Sequence, residues 1–218
     1  MADDLKYGYK GAEPTQSFGN NTGVFDPNDI NNLIADNKWT TFGQLELIHT
    51  ENVSSASSVE FLSSTSTFDT SYNVHFMTFN NISVSTNLND IEITLYENGV
   101  EETASVYQYA MQYGFDNGTF GESKSTGIAY LRATGSIGNA TNETGQAYCY
   151  FYNLPDSSKY SFFTQQGYLR QQGTLSGFQF SSGVLPQASL VNGLKCKVSS
   201  GTFSGTIKLY GVKQIWVT

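Results

Sequence analysis

Charge is scarce in this sequence. Only 14% of its 218 residues are Asp, Glu, Lys or Arg, against about a quarter in an ordinary soluble domain. The charge present is acidic, 11 Lys+Arg against 19 Asp+Glu for a net of -8, so the basic patch of a nucleic-acid surface is missing. No apolar run approaches the roughly 18 residues of a spanning helix, and no membrane insertion is expected. Met1–Asp4 lacks the basic-then-apolar order of a secretory leader. Without one, the six Asn-x-Ser/Thr sequons beginning at Asn20, Asn52, Asn81, Asn117, Asn139 and Asn142 are products of composition.

Histidine and cysteine number 2 each, too few for a metal site built on those ligands. His49 and His75 both fall in strand-like stretches, where solvent exposure or a satisfied interior position explains them better than catalysis. Cys149 and Cys196 are expected as small buried thiols, and whether they pair is left open. No nucleophile elbow, Walker loop, zinc-protease helix or dinucleotide fingerprint occurs. The nearest phosphate-like string, Gly118–Ser125, lacks the Lys that such a loop needs after its last Gly and is expected to be a loop. Glu60, Glu92 and the turn pair Glu101 and Glu102 offer a glycosidase two carboxylates, but nothing selects a pair. Asp116–Gly118 and Asn87–Asp90 are too short for a calcium loop. No enzyme, metal or cofactor is expected.

Hydroxyls, amides and rings take the place of charge. About 30% of the residues are Ser, Thr or Asn, 14% are aromatic, and Gly numbers 21 against 4 Pro. That composition belongs to a β-rich protein. Residues 1–42 form an arm without sustained periodicity, apart from one helix signal. Asp26 caps, Pro27 takes the first helical position and Asp29 sits in the first turn. Phe25 and Ile30 match a hydrophobic staple. Ile30, Leu33 and Ile34 make one stripe, Asn37 and Lys38 end it, and Trp39 with Phe42 helps anchor it. About ten residues of helix cannot stand alone, so this one docks on its own body or on a neighbouring subunit.

From residue 43 to 218 the chain alternates short strands with turns. Strands are expected at Gln44–Val53, Val59–Leu62, Tyr72–Ile82, Asp90–Tyr96, Ile128–Thr134, Gln146–Tyr152, Tyr160–Gln165, Ser176–Phe180, Leu194–Val198 and Thr206–Val212. Thr103–Gln112 is ambiguous, since Val106, Tyr109, Ala110 and Tyr113 also fit a helical stripe. Asn98–Gly99 and Asn117–Gly118 mark hairpins or loops. With no βαβ rhythm, the expected fold is all-β, an antiparallel β-sandwich of jelly-roll type behind an N-terminal arm with one short helix.

Tyr148, Tyr150 and Tyr152 alternate, so they share one face of a strand while Ala147, Cys149 and Phe151 share the core face. The tyrosine face can meet a second sheet, a neighbouring subunit or a stacked sugar ring.

Taken in order, Asn21–Ile30 on to Trp39, Gly43–Ile48, Val53–Ser55, Tyr72–Phe76, Ala104–Ala110, Tyr152–Ser161, Gly183–Ala188 and Gly201–Lys213 resemble an accessory virion structural protein of marine tailed bacteriophages. The resemblance runs nearly end to end. It implies a non-enzymatic virion component with a jelly-roll body, located as capsid decoration, head fibre or tail fibre. Its implied partners are other virion proteins, either the major capsid protein or tail and fibre components. A homo-oligomer follows, with a trimer expected, and a host surface glycan is a further partner. The resemblance brings no catalytic residues with it, and Gln214–Thr218 extends past the usual ending.

Overall fold

The computed structural model describes residues 27–35, 45–62, 68 and 71–213. The chain forms two units, residues 1–44 with 214–218, and residues 45–213. The described part of the first is α1 (Pro27–Ala35), with Pro27 at its start and Asp29 in its first turn. Both are placed where the N-terminus wants them, a missing N–H and a negative charge. Phe25, Asp26, Asn37, Lys38, Trp39 and Phe42 lie outside the described residues.

The second unit is built from antiparallel strands. In chain order they are β1 (Leu45–Ala56), β2 (Ser58–Leu62), β3 (Val74–Val84), β4 (Asn89–Glu97), β5 (Val100–Glu101), β6 (Tyr107–Phe115), β7 (Phe120–Ile128), β8 (Leu131–Ile137), β9 (Gly145–Tyr152), β10 (Tyr160–Arg170), β11 (Ser176–Ala188), β12 (Val191–Val198) and β13 (Phe203–Val212). The large sheet runs β1-β13-β3-β9-β10-β11-β6-β7, and the small sheet runs β2-β12-β4, with β5 and β8 both paired to β4.

Two four-strand rows stand out in that order. β1-β13-β3-β9 in one sheet faces β2-β12-β4-β8 in the other, so the chain switches sheets at almost every step and closes two interleaved Greek keys. This is jelly-roll topology. Two hairpins elaborate it. β6–β7 is inserted before β8 and β10–β11 after β9, and together they extend the large sheet by four strands.

The core lies between the sheets. Phe61, Phe79, Phe151, Phe163 and Phe203 are each at most 1% exposed, with Ile91, Ile93, Leu194, Ile207 and Leu209 among them. Each such side chain contributes about 1.5–3 kcal/mol on burial. Tyr107 is fully buried because its hydroxyl is matched: Leu95 N donates to it at 2.9 Å and it donates to Glu102 O at 3.1 Å. Cys149 and Cys196 are buried, free thiols.

One sequence ambiguity is resolved here and two expectations need correction. Tyr107–Phe115 is strand rather than helix, because the period-2 set Tyr107, Met111 and Phe115 lies towards the core while β11 and β7 take up the backbone on both sides. Gly118–Ser125 is a loop only as far as Thr119, and Phe120 onwards is β7. Glu101 belongs to β5, after an Asn98–Gly99 turn with φ of 50° and 84°. Positive φ at both central positions is the hairpin turn that Asn-Gly favours.

Candidate functional site

The pleat and register of the large sheet decide which side chains share its outer face. One row crosses all eight strands as Leu47, Tyr210, Phe76, Tyr150, Thr164, Ser182, Ala110 and Lys124. The row beside it carries Leu45, Val212, Val74, Tyr152, Phe162, Val184 and Gln108. On the other side, Tyr148, Gln166, Phe180 and Gln112 are partners, followed by Tyr168, Phe178, Gly114 and Phe120. The first two rows are apolar over four and six strands respectively, and polarity enters at β10 in the first and at β6 in the second.

Among the described residues, rings on this face touch each other rather than a covering layer. Phe76 and Tyr150 lie 4.7 Å apart, Phe76 and Tyr210 5.9 Å, and Tyr150 stacks on Tyr152 at 6.3 Å. A second group joins Phe178 to Phe180 at 5.1 Å and to Phe120 at 6.3 Å. Leu47 remains 53% exposed, Phe162 47%, Tyr168 56% and Phe120 72%. Isolated exposed apolar residues are ordinary, but a contiguous set on one face marks a surface made for contact. The Tyr148 hydroxyl donates to Gln166 Oε1, which fixes one ring edge beside an amide.

The outer face of the small sheet is the opposite in character. Lys195 pairs with Glu60 at 3.4 Å and Glu101 at 3.1 Å, Arg132 with Asp90 at 2.9 Å, and Lys197 with Glu92 at 3.7 Å. Burial pushes the Glu101 carboxyl up, but hydrogen bonds from Thr94 and Lys195 outweigh it and hold the group below its usual range. The Lys195 ammonium is raised in turn, chiefly by Glu101. For Glu92 burial dominates over Lys197 and raises the carboxyl. Glu97 is also raised by burial, which together with the neighbouring Glu102 outweighs the hydrogen bond that the Ser189 hydroxyl donates to it. Glu60, Asp90, Glu92 and Glu101 are bound into ion pairs along strand faces, and Glu97 is held by Ser189 instead.

Tyr148, Tyr150 and Tyr152 therefore share the outer face, and among the described residues they do not meet the second sheet; Ala147, Cys149 and Phe151 are buried behind them. In α1, Ile30 and Leu33 are half-buried and Ile34 is 49% exposed. His49 is half-buried, 3.3 Å from Glu51. His75 is fully buried in β3, stacked on Phe68 at 5.2 Å. No cluster suited to a metal ion occurs among the described residues. The residues that sequence reasoning missed are Leu47, Phe76, Phe162, Tyr168, Phe178, Phe180 and Tyr210. Alternation at Phe178 and Phe180 was a usable signal, but that the other strands bring rings to the same face follows only from the strand order.

No protein-family model matches the chain, and no curated protein matches it. Among solved structures, a protein of unknown function from Shewanella oneidensis MR-1 aligns over 91% of this chain and 100% of its own, at 8% identity and a TM-score of 0.21. Similarity that slight carries no functional weight.

Proposed function

We propose that the chain is a non-enzymatic structural protein of a bacteriophage virion, a capsid-decoration or head-fibre protein that displays its β-sandwich on the particle surface. The observation that supports this reading is the contrast between the two outer faces. A face of paired charges is stable in water, whereas a face of contiguous rings gains by being covered. The large sheet is then the docking side, against neighbouring copies in a homo-oligomer such as a trimer, or against the major capsid protein or a tail or fibre component. The small sheet looks outward, and an acidic outer surface limits non-specific adhesion. Jelly rolls recur in viral capsid domains and in lectins, which supports the reading as fold analogy alone. The phage-protein resemblance of the sequence supports it further, and the arm with Phe25, Ile30, Leu33, Ile34 and Trp39 is the proposed attachment element.

Cryo-EM of purified particles, at a resolution that traces side chains, tests the assignment. Density for the sandwich on the capsid lattice is the expected result; its absence from the whole particle overturns it. Deleting residues 1–42 is expected to leave a folded body missing from virions, and normal copy number of the deletion variant removes the arm's role.

A second reading, a tail-fibre or receptor-binding module for a host glycan, is favoured by the exposed Tyr148 and Tyr168 rings beside Gln166. Alanine substitution of Tyr148, Tyr150 and Tyr152 separates the two. Loss of glycan binding with an unchanged fold supports the second reading, and loss of assembly without any glycan binding supports the first.

A further inference from the structure

Among the described residues β7 is the last strand of the large sheet, with β6 on one side of it. Its other side presents backbone hydrogen-bonding groups to a further strand. The β6–β7 turn decides which groups these are. Phe115 N donates to Thr119 O at 2.8 Å, and Gly118 N to Phe115 O at 3.0 Å. Antiparallel pairs alternate from there. Gly121 and Ser123 therefore bond to β6, while Phe120, Glu122 and Lys124 turn their N–H and C=O groups outward.

Shape does not blunt this edge as it blunts the opposite one. β1 has two register breaks, after Leu47 and after Val53. Phe120–Ser125 keeps unbroken register with β6, and the irregularity comes only between Ser125 and Ile128. β7 contains no Pro. The Phe120 ring leans back over Gly114 and meets Phe178 at 6.3 Å, which carries it away from the open side. What guards the edge is charge. Glu122 and Lys124 stand 3.1 Å apart, with side chains 69% and 76% exposed. A strand without matching charges is repelled by that pair. A second copy of β7, read in the opposite direction, matches it.

The register of such a pairing is fixed by the same two residues. A two-fold axis at Ser123 sets Glu122 of each copy opposite Lys124 of the other. Both residues already turn their backbone groups outward, so each Glu–Lys pair exchanges two hydrogen bonds. On the outer face the charges of the two copies then form a ring in which every neighbour has the opposite sign. An axis at Glu122 or at Lys124 would set like charges face to face, which is destabilising. An axis at Gly121 or Ser125 would leave both charges opposite uncharged residues.

We propose that the β7 edge is a contact between two copies of this chain, each adding its β7 antiparallel to the other across a two-fold axis at Ser123. The two large sheets become one, in an isologous interface. This contact uses a strand edge, so it is separate from the ring-covered face and stands whether or not the protein belongs to a virion. So short a stretch buries little surface, and the dimer is weak in dilute solution, with a dissociation constant on the order of 0.1 mM.

The test is directed cross-linking of the full chain. Ser123→Cys sets a thiol against its own copy at a non-hydrogen-bonded pair, where Cα atoms lie about 4.5 Å apart, within the reach of a disulfide. Cys149 and Cys196 are buried and do not compete. Under mild oxidation at about 0.1 mM protein, close to the dissociation constant, a disulfide-linked dimer is expected on a non-reducing gel. Ser125→Cys, which would face Gly121, is expected to cross-link far less. Adding Lys124→Glu to Ser123→Cys sets Glu against Glu twice and is expected to weaken association by about tenfold. Adding Glu122→Lys as well restores opposite signs and is expected to restore the cross-link. Ser123→Cys loses the 2.7 Å hydrogen bond between the Ser123 and Tyr109 hydroxyls. Should that variant fail to fold, sedimentation equilibrium of the parent, Lys124→Glu and the double exchange gives the same comparison. The proposal is overturned by no cross-link, by equal cross-linking of Ser123→Cys and Ser125→Cys, or by a folded double exchange that associates no better than Lys124→Glu.

Discussion

At the scale of single residues, most of the chain's special chemistry is inert by burial. Cys149 and Cys196 sit fully inside the sandwich, where burial pushes both thiols well above their ordinary range. A thiol must ionise to react. Both are therefore expected to resist iodoacetamide at about pH 8 in the native protein and to label quickly once urea unfolds it. Native labelling at the rate of a free thiol would contradict the buried placement. Glu101 works in the other direction. Its carboxyl is held below the usual value of 4.5, so its charged form stabilises the fold above that pH, and the benefit fades as pH falls through the depressed pKa. Glu101→Gln should cost less than about 1 kcal/mol near neutrality, as expected of a partly exposed pair. The gap to the parent protein should close in acid, which denaturant titrations at two pH values can measure. Phe151→Ala, at the centre of the core, is expected to cost about 3–5 kcal/mol in the same assay.

Secondary-structure elements show how one sheet grew past the other. β6, β7, β10 and β11 extend the β1-β13-β3-β9 sheet beyond the small sheet, and the added strands need packing of their own. Part of it comes from rings laid over glycines. Gly121 lies under Tyr113, and Gly114 lies under Phe120 and Phe178. An aromatic side chain folded over a cross-strand glycine shields backbone that would otherwise be bare. Gly121→Ala must push the Tyr113 ring aside, and about 1–2 kcal/mol of destabilisation is expected. For a domain of this size that lowers Tm by about 2–8 °C, readable by calorimetry. An unchanged Tm would show that the ring does not need its glycine. The β7 edge itself carries Glu122 and Lys124, 3.1 Å apart, and charges on an edge discourage pairing with a foreign strand.

At the scale of the whole second unit, the two outer faces assign directions. Paired ions cover the small sheet, and rings cover the large one. Phe162, in the apolar row at 47% exposure, is the natural residue to change. Phe162→Glu should leave Tm nearly unaltered, since a half-exposed ring contributes little to the core. In a proposed homo-oligomer it should shift the population to monomer, because an unpaired charge is expensive in a dry interface. Analytical ultracentrifugation of parent and variant measures this. A monomeric parent would point instead to a different partner for that face.

Period-2 alternation in β4, β12 and β13, the Asn98–Gly99 turn and the Pro27 start of α1 were all legible in the chain, because each depends on neighbours in sequence. The core side of β9, with Ala147, Cys149 and Phe151, was legible for the same reason. β6 was not, since Val106, Tyr109, Ala110 and Tyr113 satisfy a helical period as well, and pairing with β7 and β11 made the choice. The residues of the candidate surface depend on strand order, which local periodicity does not encode. Leu47, Tyr210, Phe76 and Tyr150 are far apart in the chain and become one row only when β13 and β3 insert between β1 and β9. Composition and alternation were enough to specify an antiparallel sandwich poor in charge; long-range backbone pairing settled which side chains share each of its faces.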